Sequence, residues 1–430
     1  MFLEHLRVEN IRSLTDVSVD FVDYSVSENR VRSWTLLVGE NGTGKSTFLK
    51  AAALLMAGSD ALPDLLGDAR SWVKNGKQVG RICGRLRTQE WELREISLEI
   101  HEGDTRSDLL KRNEATLSAL NDALSRATQN YFTAAYGPYR RVSNEHGPTS
   151  SFSQLPRARS LVTLFDKNAL VHPLPSWAMT LEYRDGDEGL KIVREAINAL
   201  MPGIAFIDVD KSRGTLRFET QDGIVSFEQL SDGFQSVVAW IGDLLFRITE
   251  AFAHYREPLN ARGLLLIDEI DAHLHPAWQR KLREFLSAKL PNFQIVATTH
   301  SALTLQQARQ DEAIVLARNE STVVATVFPG DPSKLRLHQL YELAFRINSL
   351  DSWEIEQSKD TYRALSGKPA SALTGPQAVA LADAKQILEV VPEPEADGMG
   401  NEGLTNYFTQ LNNAVDALER GASRRTESFE

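Results

Sequence analysis

The stretch at residues 39–46 reads Gly39-Glu40-Asn41-Gly42-Thr43-Gly44-Lys45-Ser46. It matches the pattern G-x-x-x-x-G-K-[ST] in full, it follows the apolar segment Trp34–Val38, and an Ala- and Leu-rich helix is expected from about Thr47 to Ala57. Glycines let a backbone wrap closely around phosphate oxygens, and the amide groups of such a loop and of the helix behind it face the anion. The stretch therefore predicts a loop that binds the phosphates of a nucleotide.

The loop also contains a positively charged side chain and a hydroxyl that can bind a metal ion. Lys45 is expected to reach the β- and γ-phosphates, and the hydroxyl of Ser46 is expected to bind Mg²⁺. ATP and Mg²⁺ are therefore the predicted cofactors. The predicted nucleotide contacts in this region are Gly39, Asn41, Gly42, Gly44, Lys45, Ser46 and Thr47.

A second apolar segment, residues 263–267, leads into two adjacent acids, Asp268 and Glu269. Neighbouring side chains of a strand point to opposite sides, so we expect the two acids to have different roles. Asp268 suits the Mg²⁺ shell beside Ser46, and Glu269 suits the base that orients or deprotonates an attacking water. Acids at a strand end can also serve only to solubilise it. The complete phosphate loop favours the catalytic interpretation.

Apolar strands alternate with helices along most of the chain. Trp34–Val38, Gly263–Ile267 and Gln294–Thr298 are uniformly apolar or nearly so, which is typical of strands buried on both faces. The pattern predicts an α/β fold with a mixed, mainly parallel sheet. Thr105–Asn130 is expected to form one helix, and Ser143–Pro175 a polar loop or lid.

Composition limits the remaining possibilities. The 430 residues suggest two to three domains, and the net charge is 47 − 58 = −11, which argues against a wholly basic nucleic-acid coat but leaves room for a local basic patch. Cys83 is the only cysteine, so no intramolecular disulfide is possible. No apolar run approaches the roughly 20 residues that span a bilayer, and no charged leader precedes an apolar segment. We expect a cytoplasmic, soluble protein without a membrane partner.

Further segments resemble the motifs of ABC-type ATPases of the SMC, RecF and OLD-like group. Ser231-Asp232-Gly233 resembles the core of the signature, residues 271–276 resemble the D-loop, residues 297–301 resemble the strand that carries the switch histidine, and residues 6–14 resemble the first strand. The resemblance implies a P-loop head of the ABC type over residues 1–330, with a helical or lid insertion at about 58–175. Residues 331–430 are then a helical region for partner binding or oligomerisation.

The resemblance also implies a mechanism. Two heads would form a head-to-tail homodimer around two ATP molecules, with higher oligomers possible. Ser231 and Gly233 of one head would contact the γ-phosphate held by Lys45 of the other, and the helix N-terminus at the signature would favour that contact. His300 would contact the γ-phosphate, and Asp271 would bridge the two sites. The catalytic residues are then Glu269, His300 and Lys45.

Each small motif has a simpler interpretation. Ser231 could merely cap a helix, and His300 could merely end a strand. His273 and His275 have a spacing that metal ligands can have, although metal sites need a third ligand. A Q-loop glutamine is not placed; Gln89 and Gln129 are the candidates. Tyr136-Gly137-Pro138-Tyr139-Arg140 resembles a Y-G-x-x-R segment of related ATPases, in which Arg140 either approaches the nucleotide or a partner, or is solvated.

Two functional hypotheses remain. No zinc-hook C-x-x-C is present, and residues 328–430 carry no acid-rich metal cluster of the TOPRIM kind. The chain is therefore expected to be an ATPase switch for a separate effector, a nuclease or toxin, in anti-phage defence of the Septu or retron type. The alternative is a RecF-like DNA-repair ATPase that binds DNA directly. Its candidate contacts are Arg81, Arg85, Arg87, Arg140, Arg141, Arg157 and Arg159, which could equally form a solvated surface.

Overall fold

The structure is a computed structural model that describes residues 2–23, 30–88, 92–126, 131–141, 156–200, 203–319, 322–347, 349–369 and 373–390. The chain divides into two compact units, Met1–Leu340 and Tyr341–Glu430. The first unit extends beyond the predicted boundary at residue 330. One reason is that the side-chain amide of Gln306 donates to the carbonyl of Leu335 at 2.7 Å, which ties this segment to the head.

The strands lie in the first unit. In chain order they are β1 (Phe2–Ile11), β2 (Leu14–Asp20), β3 (Val22–Asp23), β4 (Arg30–Val31), β5 (Trp34–Val38), β6 (Val79–Arg87), β7 (Leu93–His101), β8 (Thr133–Tyr136), β9 (Ala205–Asp210), β10 (Thr215–Thr220), β11 (Gly223–Ser226), β12 (Gly263–Ile267), β13 (Phe293–Thr298), β14 (Ala313–Asn319) and β15 (Thr322–Val327).

The helices cover the main sheet and form the described part of the second unit. In chain order they are α1 (Lys45–Leu55), α2 (Gly58–Leu66), α3 (Arg106–Arg112), α4 (Glu114–Arg126), α5 (Pro156–Phe165), α6 (Leu174–Leu200), α7 (Asp232–Ala251), α8 (Pro276–Lys289), α9 (Ala302–Leu305), α10 (Leu337–Phe345), α11 (Trp353–Leu365) and α12 (Gly375–Val390). No helix among the described residues is long and apolar enough to span a membrane.

The main sheet has the order β15-β14-β5-β13-β12-β8. Its pairs are parallel except for β14 and β15, which are antiparallel. Every residue of β5, β12 and β13 is buried, as uniformly apolar strands between two layers should be. The predicted α/β class with a mixed, mainly parallel sheet is confirmed. Because the parallel strands share one direction, the segments that follow them meet at one edge of the sheet.

A second sheet is antiparallel and has the order β2-β1-β6-β7. Helix α1 contacts strands of both sheets and its Phe48 and Leu49 are fully buried. The core therefore lies on both sides of α1, and the phosphate loop is anchored to a helix in which nine of eleven residues are buried. A third, smaller antiparallel sheet consists of β11, β10 and β9.

The prediction of a helical or lid insertion at 58–175 is wrong for much of that range. It contains β6 and β7, which complete the antiparallel sheet, and β8, which forms an edge of the main sheet. Cross-strand partners far away in the sequence stabilise these strands, and the local pattern of a single strand does not reveal such partners.

Two expected elements within this range also differ. The single helix over 105–130 is broken, because the Asn113 side chain bonds the backbone of Glu99 through both its amide and its oxygen at 2.8 Å. Residues 127–130 lie outside the described residues. The loop expected over 143–175 contains α5 and the beginning of α6, and α5 begins at Pro156, which favours the first turn of a helix. Its first part, residues 143–155, is not described.

The second unit is helical in its described part. Helices α11 and α12 contact each other, which agrees with the predicted helical C-terminal region. Residues 391–430, the rest of the predicted helical region, lie outside the described residues.

Candidate nucleotide site

The candidate site lies where β5, β13 and β12 end, side by side in the main sheet. The segment 39–46 follows β5, the acids Asp268 and Glu269 follow β12, and Thr299 and His300 follow β13. The parallel strands thus bring together, at one edge of the sheet, groups that are more than two hundred residues apart in the sequence. Ligands of open α/β sheets bind at this kind of edge.

The phosphate loop has a backbone that only glycine allows at its first position. Gly39 has a φ of 137°, and a Cβ there would lie 2.2 Å from the carbonyl oxygen of Leu316 on β14. Asn41 and Gly42 are exposed at the tip of the loop, whereas Lys45 and Thr47 are buried. The guanidinium of Arg318 donates to the carbonyl of Gly42 at 3.0 Å, a contact that the sequence did not predict.

Lys45 lies inside its own loop. Its ammonium donates to the carbonyls of Gly39 and Glu40, both at 2.8 Å. Burial lowers the pKa of Lys45 to about 8, although the nearby Asp268 and Glu269 act in the opposite direction. A buried ammonium among backbone dipoles is a suitable partner for phosphate oxygens, so the loop fits a nucleotide.

The two predicted Mg²⁺ ligands are in contact. The hydroxyl of Ser46 donates to the carboxylate of Asp268 at 3.0 Å, and Asp268 is only 4% exposed. The same carboxylate oxygen accepts a bond from the hydroxyl of Thr298 at 2.6 Å. A hydroxyl and a carboxylate are ligands that Mg²⁺ prefers, so this donor set fits a metal–nucleotide complex. Thr298 holds Asp268 in place, and sequence reasoning missed that role.

Glu269 has an unusual backbone. It follows the end of β12 instead of lying within it, so the alternation of strand side chains that we used to separate Asp268 from Glu269 does not apply. Its φ is 47°, in the left-handed region that residues with a Cβ rarely adopt. The side chain is exposed while that of Asp268 is buried. Burial of part of the group and the nearby Asp268 and Asp271 raise the pKa of Glu269.

Arg140 is buried beneath the two acids, and the interpretation as a solvated arginine is wrong. Only 2% of the residue is exposed, and its Nη2 donates to the carbonyls of Asp268 at 2.9 Å and Glu269 at 2.7 Å. Burial lowers the pKa of Arg140 to about 10. The arginine reaches this place because β8 ends beside β12, a neighbour relation that only the folded sheet reveals.

The segments with Asp271 and His300 lie against each other. The hydroxyl of Thr299 donates to the carboxylate of Asp271, and burial raises the pKa of that carboxyl. His300 is exposed, and burial of part of its ring together with Lys45 lowers its pKa. His300 is therefore neutral and accessible at neutral pH, a state in which it can donate or accept a hydrogen bond.

Of the two histidines that suggested a metal, His275 has another role. Nδ1 of His275 accepts a bond from the backbone N–H of Ala277 at 3.2 Å and so caps α8. The described part of the chain contains no cluster of three or more His, Cys, Asp or Glu side chains suited to a metal ion. Gln89 and Gln129, the Q-loop candidates, lie outside the described residues.

The signature segment lies at the beginning of α7. Ser231 occupies the N-cap position, as the simpler interpretation held, but its side chain makes no capping bond and is exposed. A Cβ at Gly233 would lie 2.9 Å from the carbonyl oxygen of His273. The signature therefore packs against residue 273 of its own chain, and Ser231 and Asp232, where α7 begins, are exposed.

Two family models match the chain. One, described as an AAA domain, putative AbiEii toxin, Type IV TA system, matches residues 94–306, and the other, described as an AAA ATPase domain, matches residues 1–135. Together they span the phosphate loop, both acids, the signature and His300. Over residues 1–306 the chain is therefore similar to AAA-type ATPases.

Relatives of this ATPase carry names from defence systems. Septu protein PtuA of Bacillus mycoides (strain KBAB4) is 26% identical over 320 residues, which are 74% of this chain and 41% of that protein. The chain thus matches less than half the length of this relative. The retron Ec83 probable ATPase of Escherichia coli is 29% identical over 164 residues, which are 38% of this chain and 30% of the relative.

Among solved structures, the SMC head bound to the C-winged helix domain of ScpA has a TM-score of 0.46 and 16% identity, and covers 76% of this chain and 98% of its own. The prediction of a P-loop ATPase with relatives of the Septu and retron type, inferred above from the motifs, is confirmed by the family models and the named relatives.

Proposed function

We propose that this ATPase binds and hydrolyses ATP with Mg²⁺ in a head-to-tail dimer and thereby switches a separate effector. One observation carries the proposal: the hydroxyl of Ser46 and the carboxylate of Asp268 lie 3.0 Å apart beside the loop that holds Lys45. A bound Mg²⁺ would neutralise charge on the β- and γ-phosphates.

Each residue at the sheet edge has a proposed role. Ser46 and Asp268 hold the metal, and Gly39, Asn41, Gly42, Gly44 and Thr47 line the phosphate cradle. Lys45 exchanges the carbonyls of Gly39 and Glu40 for phosphate oxygens when ATP binds. Glu269 accepts the proton of the attacking water, and its raised pKa supports that role because a base with a pKa closer to neutrality accepts the proton more readily. His300 contacts the γ-phosphate.

The position of the signature supports the proposed dimer. Ser231 is exposed at the N-terminus of α7, and Gly233 packs on residue 273 of its own chain, so the free N–H groups of this turn are available to a phosphate of another copy. Asp271 lies between the signature and His300 along these contacts and would bridge the two sites. ATP would then close the dimer and hydrolysis would open it.

A mixing experiment tests the shared site. Lys45→Ala and Ser231→Arg chains are each expected to be inactive. A 1:1 mixture should regain about a quarter of wild-type turnover, because half of the dimers are mixed and each then has one intact site of two independent ones.

The matched control is a mixture of Lys45→Ala with Glu269→Gln chains. Both residues belong to the same half of a site, so this mixture should stay inactive. If the first mixture also stays inactive while each chain is folded, the head-to-tail dimer is wrong.

The proposed biological role is control of a nuclease or toxin in anti-phage defence. The names of the PtuA and retron relatives support it, and so does the additional helical region after the head. That region is proposed to bind the effector or to mediate oligomerisation. Purification of the Glu269→Gln chain from its native host should recover an effector together with the trapped dimer. A chain that elutes alone in every nucleotide state would count against the role.

A further inference from the structure

The turn after β8 places a buried arginine directly under the catalytic acids. Gly137 begins this turn, and its backbone passes so close to α5 that a Cβ would lie 2.2 Å from the carbonyl oxygen of Thr163. The turn brings Arg140 back toward the sheet, where its Nε donates to the carbonyl of Gly137 at 3.1 Å. The side chain is therefore held at its base by its own turn and directed beneath β12.

The free end of Arg140 bonds the backbone of both acids. Nη2 donates to the carbonyls of Asp268 and Glu269 at 2.9 and 2.7 Å. Between these two carbonyls lies the left-handed residue Glu269, with its φ of 47°. From the other side, the hydroxyl of Thr298 accepts the backbone N–H of Glu269 at 2.7 Å. A strained conformation persists only when its surroundings enforce it, and these bonds supply that enforcement.

A contribution to stability alone does not explain why Arg140 is buried here. Its Nη1 is buried and has no partner among the described residues, and a buried donor without a partner carries a desolvation cost. The guanidinium is also near the carboxylates of Asp271 and Asp268, so it compensates negative charge at the edge of the sheet.

Arg140 also contacts the signature helix. Its guanidinium carbon lies 5.1 Å from the centre of the Trp240 ring on α7. Tyr136, four residues before Arg140, donates to the carboxylate of Asp243 on the same helix at 2.6 Å. Helix α7 begins at the proposed contact with the second ATP. Arg140, which holds Glu269, is therefore packed on the helix that would contact the nucleotide of the partner chain.

We propose that Arg140 is the positioning residue that keeps Glu269 in its strained conformation, packed against α7. It acts through the backbone of Glu269 and does not touch the nucleotide. This inference rests on the proposed ATPase function and adds to it the group that orients the base.

Arg140→Gln is the main test. Equilibrium binding of ATP should change by less than about 3-fold, while kcat should fall about 10²-fold, since small misplacements of a catalytic group cost about that much. Arg140→Lys keeps a cationic donor and should recover part of kcat. In the Glu269→Gln background, Arg140→Gln should lower the residual rate no further, because its effect passes through Glu269.

Arg157→Gln is the matched control. Arg157 is also largely buried, burial lowers its pKa to about 10, and its Nη1 donates to the carbonyl of Met56 at 2.8 Å, away from the acids. Both glutamine variants should lose thermal stability, but only Arg140→Gln should lose kcat in its folded fraction. Equal kcat for the two variants, or a further loss in the Glu269→Gln background, would overturn the proposal.

A structural readout separates this inference from the ATPase proposal. In a crystal structure of Arg140→Gln, or of Arg140→Lys if the former does not fold, Glu269 should leave the left-handed region. An unchanged Glu269 overturns the positioning role, whatever the rate. Absence of ATP turnover in the wild-type dimer and its complexes would instead overturn the proposed function, and the crystal structure would still decide the role of Arg140.

Discussion

The edge of the main sheet and the antiparallel sheet both carry many charges, but they arrange them in opposite ways. On the antiparallel sheet, Arg81 lies directly across from Glu9 on one side and Glu99 on the other, and its guanidinium bonds Glu99 at 3.2 Å. At the edge of the main sheet, Asp268, Glu269 and Asp271 lie near one another, and two of these carboxyls have raised pKa values.

This difference in charge arrangement distinguishes an ordinary charged surface from a ligand-binding site. Cross-strand pairs satisfy their own charges and need no ligand. Like charges placed together are costly until a cation or a metal complex compensates them. This contrast also bears on direct DNA binding: Arg81, Arg85 and Arg87 bond carboxylates, and Arg140 and Arg157 bond backbone carbonyls. Of the candidate contacts, Arg81, Arg141 and Arg159 are exposed, and Arg81 is already bonded to Glu99, which does not favour the DNA-repair alternative.

The largest expected effect is the loss of kcat when Glu269, the proposed catalytic base, is replaced. Glu269→Gln should lower kcat about 10³-fold, within the usual contribution of general-base catalysis, while ATP still binds and dimers accumulate. Steady-state turnover with size-exclusion chromatography in ATP measures both. Glu99→Gln on the antiparallel sheet is the control and should change neither. Turnover at the wild-type rate in Glu269→Gln would show that the assignment of the base is wrong.

Lys45→Ala should weaken ATP binding about 10²-fold or more, because phosphate oxygens lose a buried, charged donor. Titration with a fluorescent ATP analogue measures it. The exposed Lys77, outside the edge of the main sheet, provides the control: Lys77→Ala should bind ATP as the wild type does. Equal affinities for the two variants would mean that the loop does not hold the nucleotide.

Tyr136→Phe should reduce the free energy of unfolding by about 1–3 kcal/mol, because it leaves the buried carboxylate of Asp243 without one of its donors. Tyr139→Phe is a close control, since that ring is three residues away and 54% exposed. Urea unfolding of both variants measures the difference. Similar midpoints would show that the bond at the end of β8 contributes little.

The smallest effect is expected on the antiparallel sheet. Arg7 bonds both carboxylate oxygens of Asp16 at 2.9 and 2.8 Å, but both side chains are about half exposed. Asp16→Asn should therefore change the free energy of unfolding by less than about 1 kcal/mol, and less still at high salt. A larger loss would contradict the contrast between the two sheets.

Much of the site could be predicted because its residues follow strands with a strong local signal. The segments Trp34–Val38 and Gly263–Ile267 are strands with those same bounds, and the hydroxyl of Ser46 meets the predicted partner Asp268. Other features depend on neighbours that are remote in the sequence. Thr298 contacts Asp268 only because β13 lies beside β12 in the folded sheet. The segment Val79–Arg87 forms a strand because β1 and β7 pair with it on either side.

The sequence therefore predicts the proposed chemistry of this protein: a phosphate loop, a pair of acids, a signature and a histidine, in an order typical of one class of ATPase. It could do so because a loop that wraps phosphate needs particular residues at fixed spacing. Which groups hold these residues in place depends on contacts that form only in the folded chain. From the sequence, Arg140 is expected to approach the nucleotide or a partner, or to be solvated. It lies under Glu269 because parallel pairing of β8 with β12 brings the ends of the two strands together.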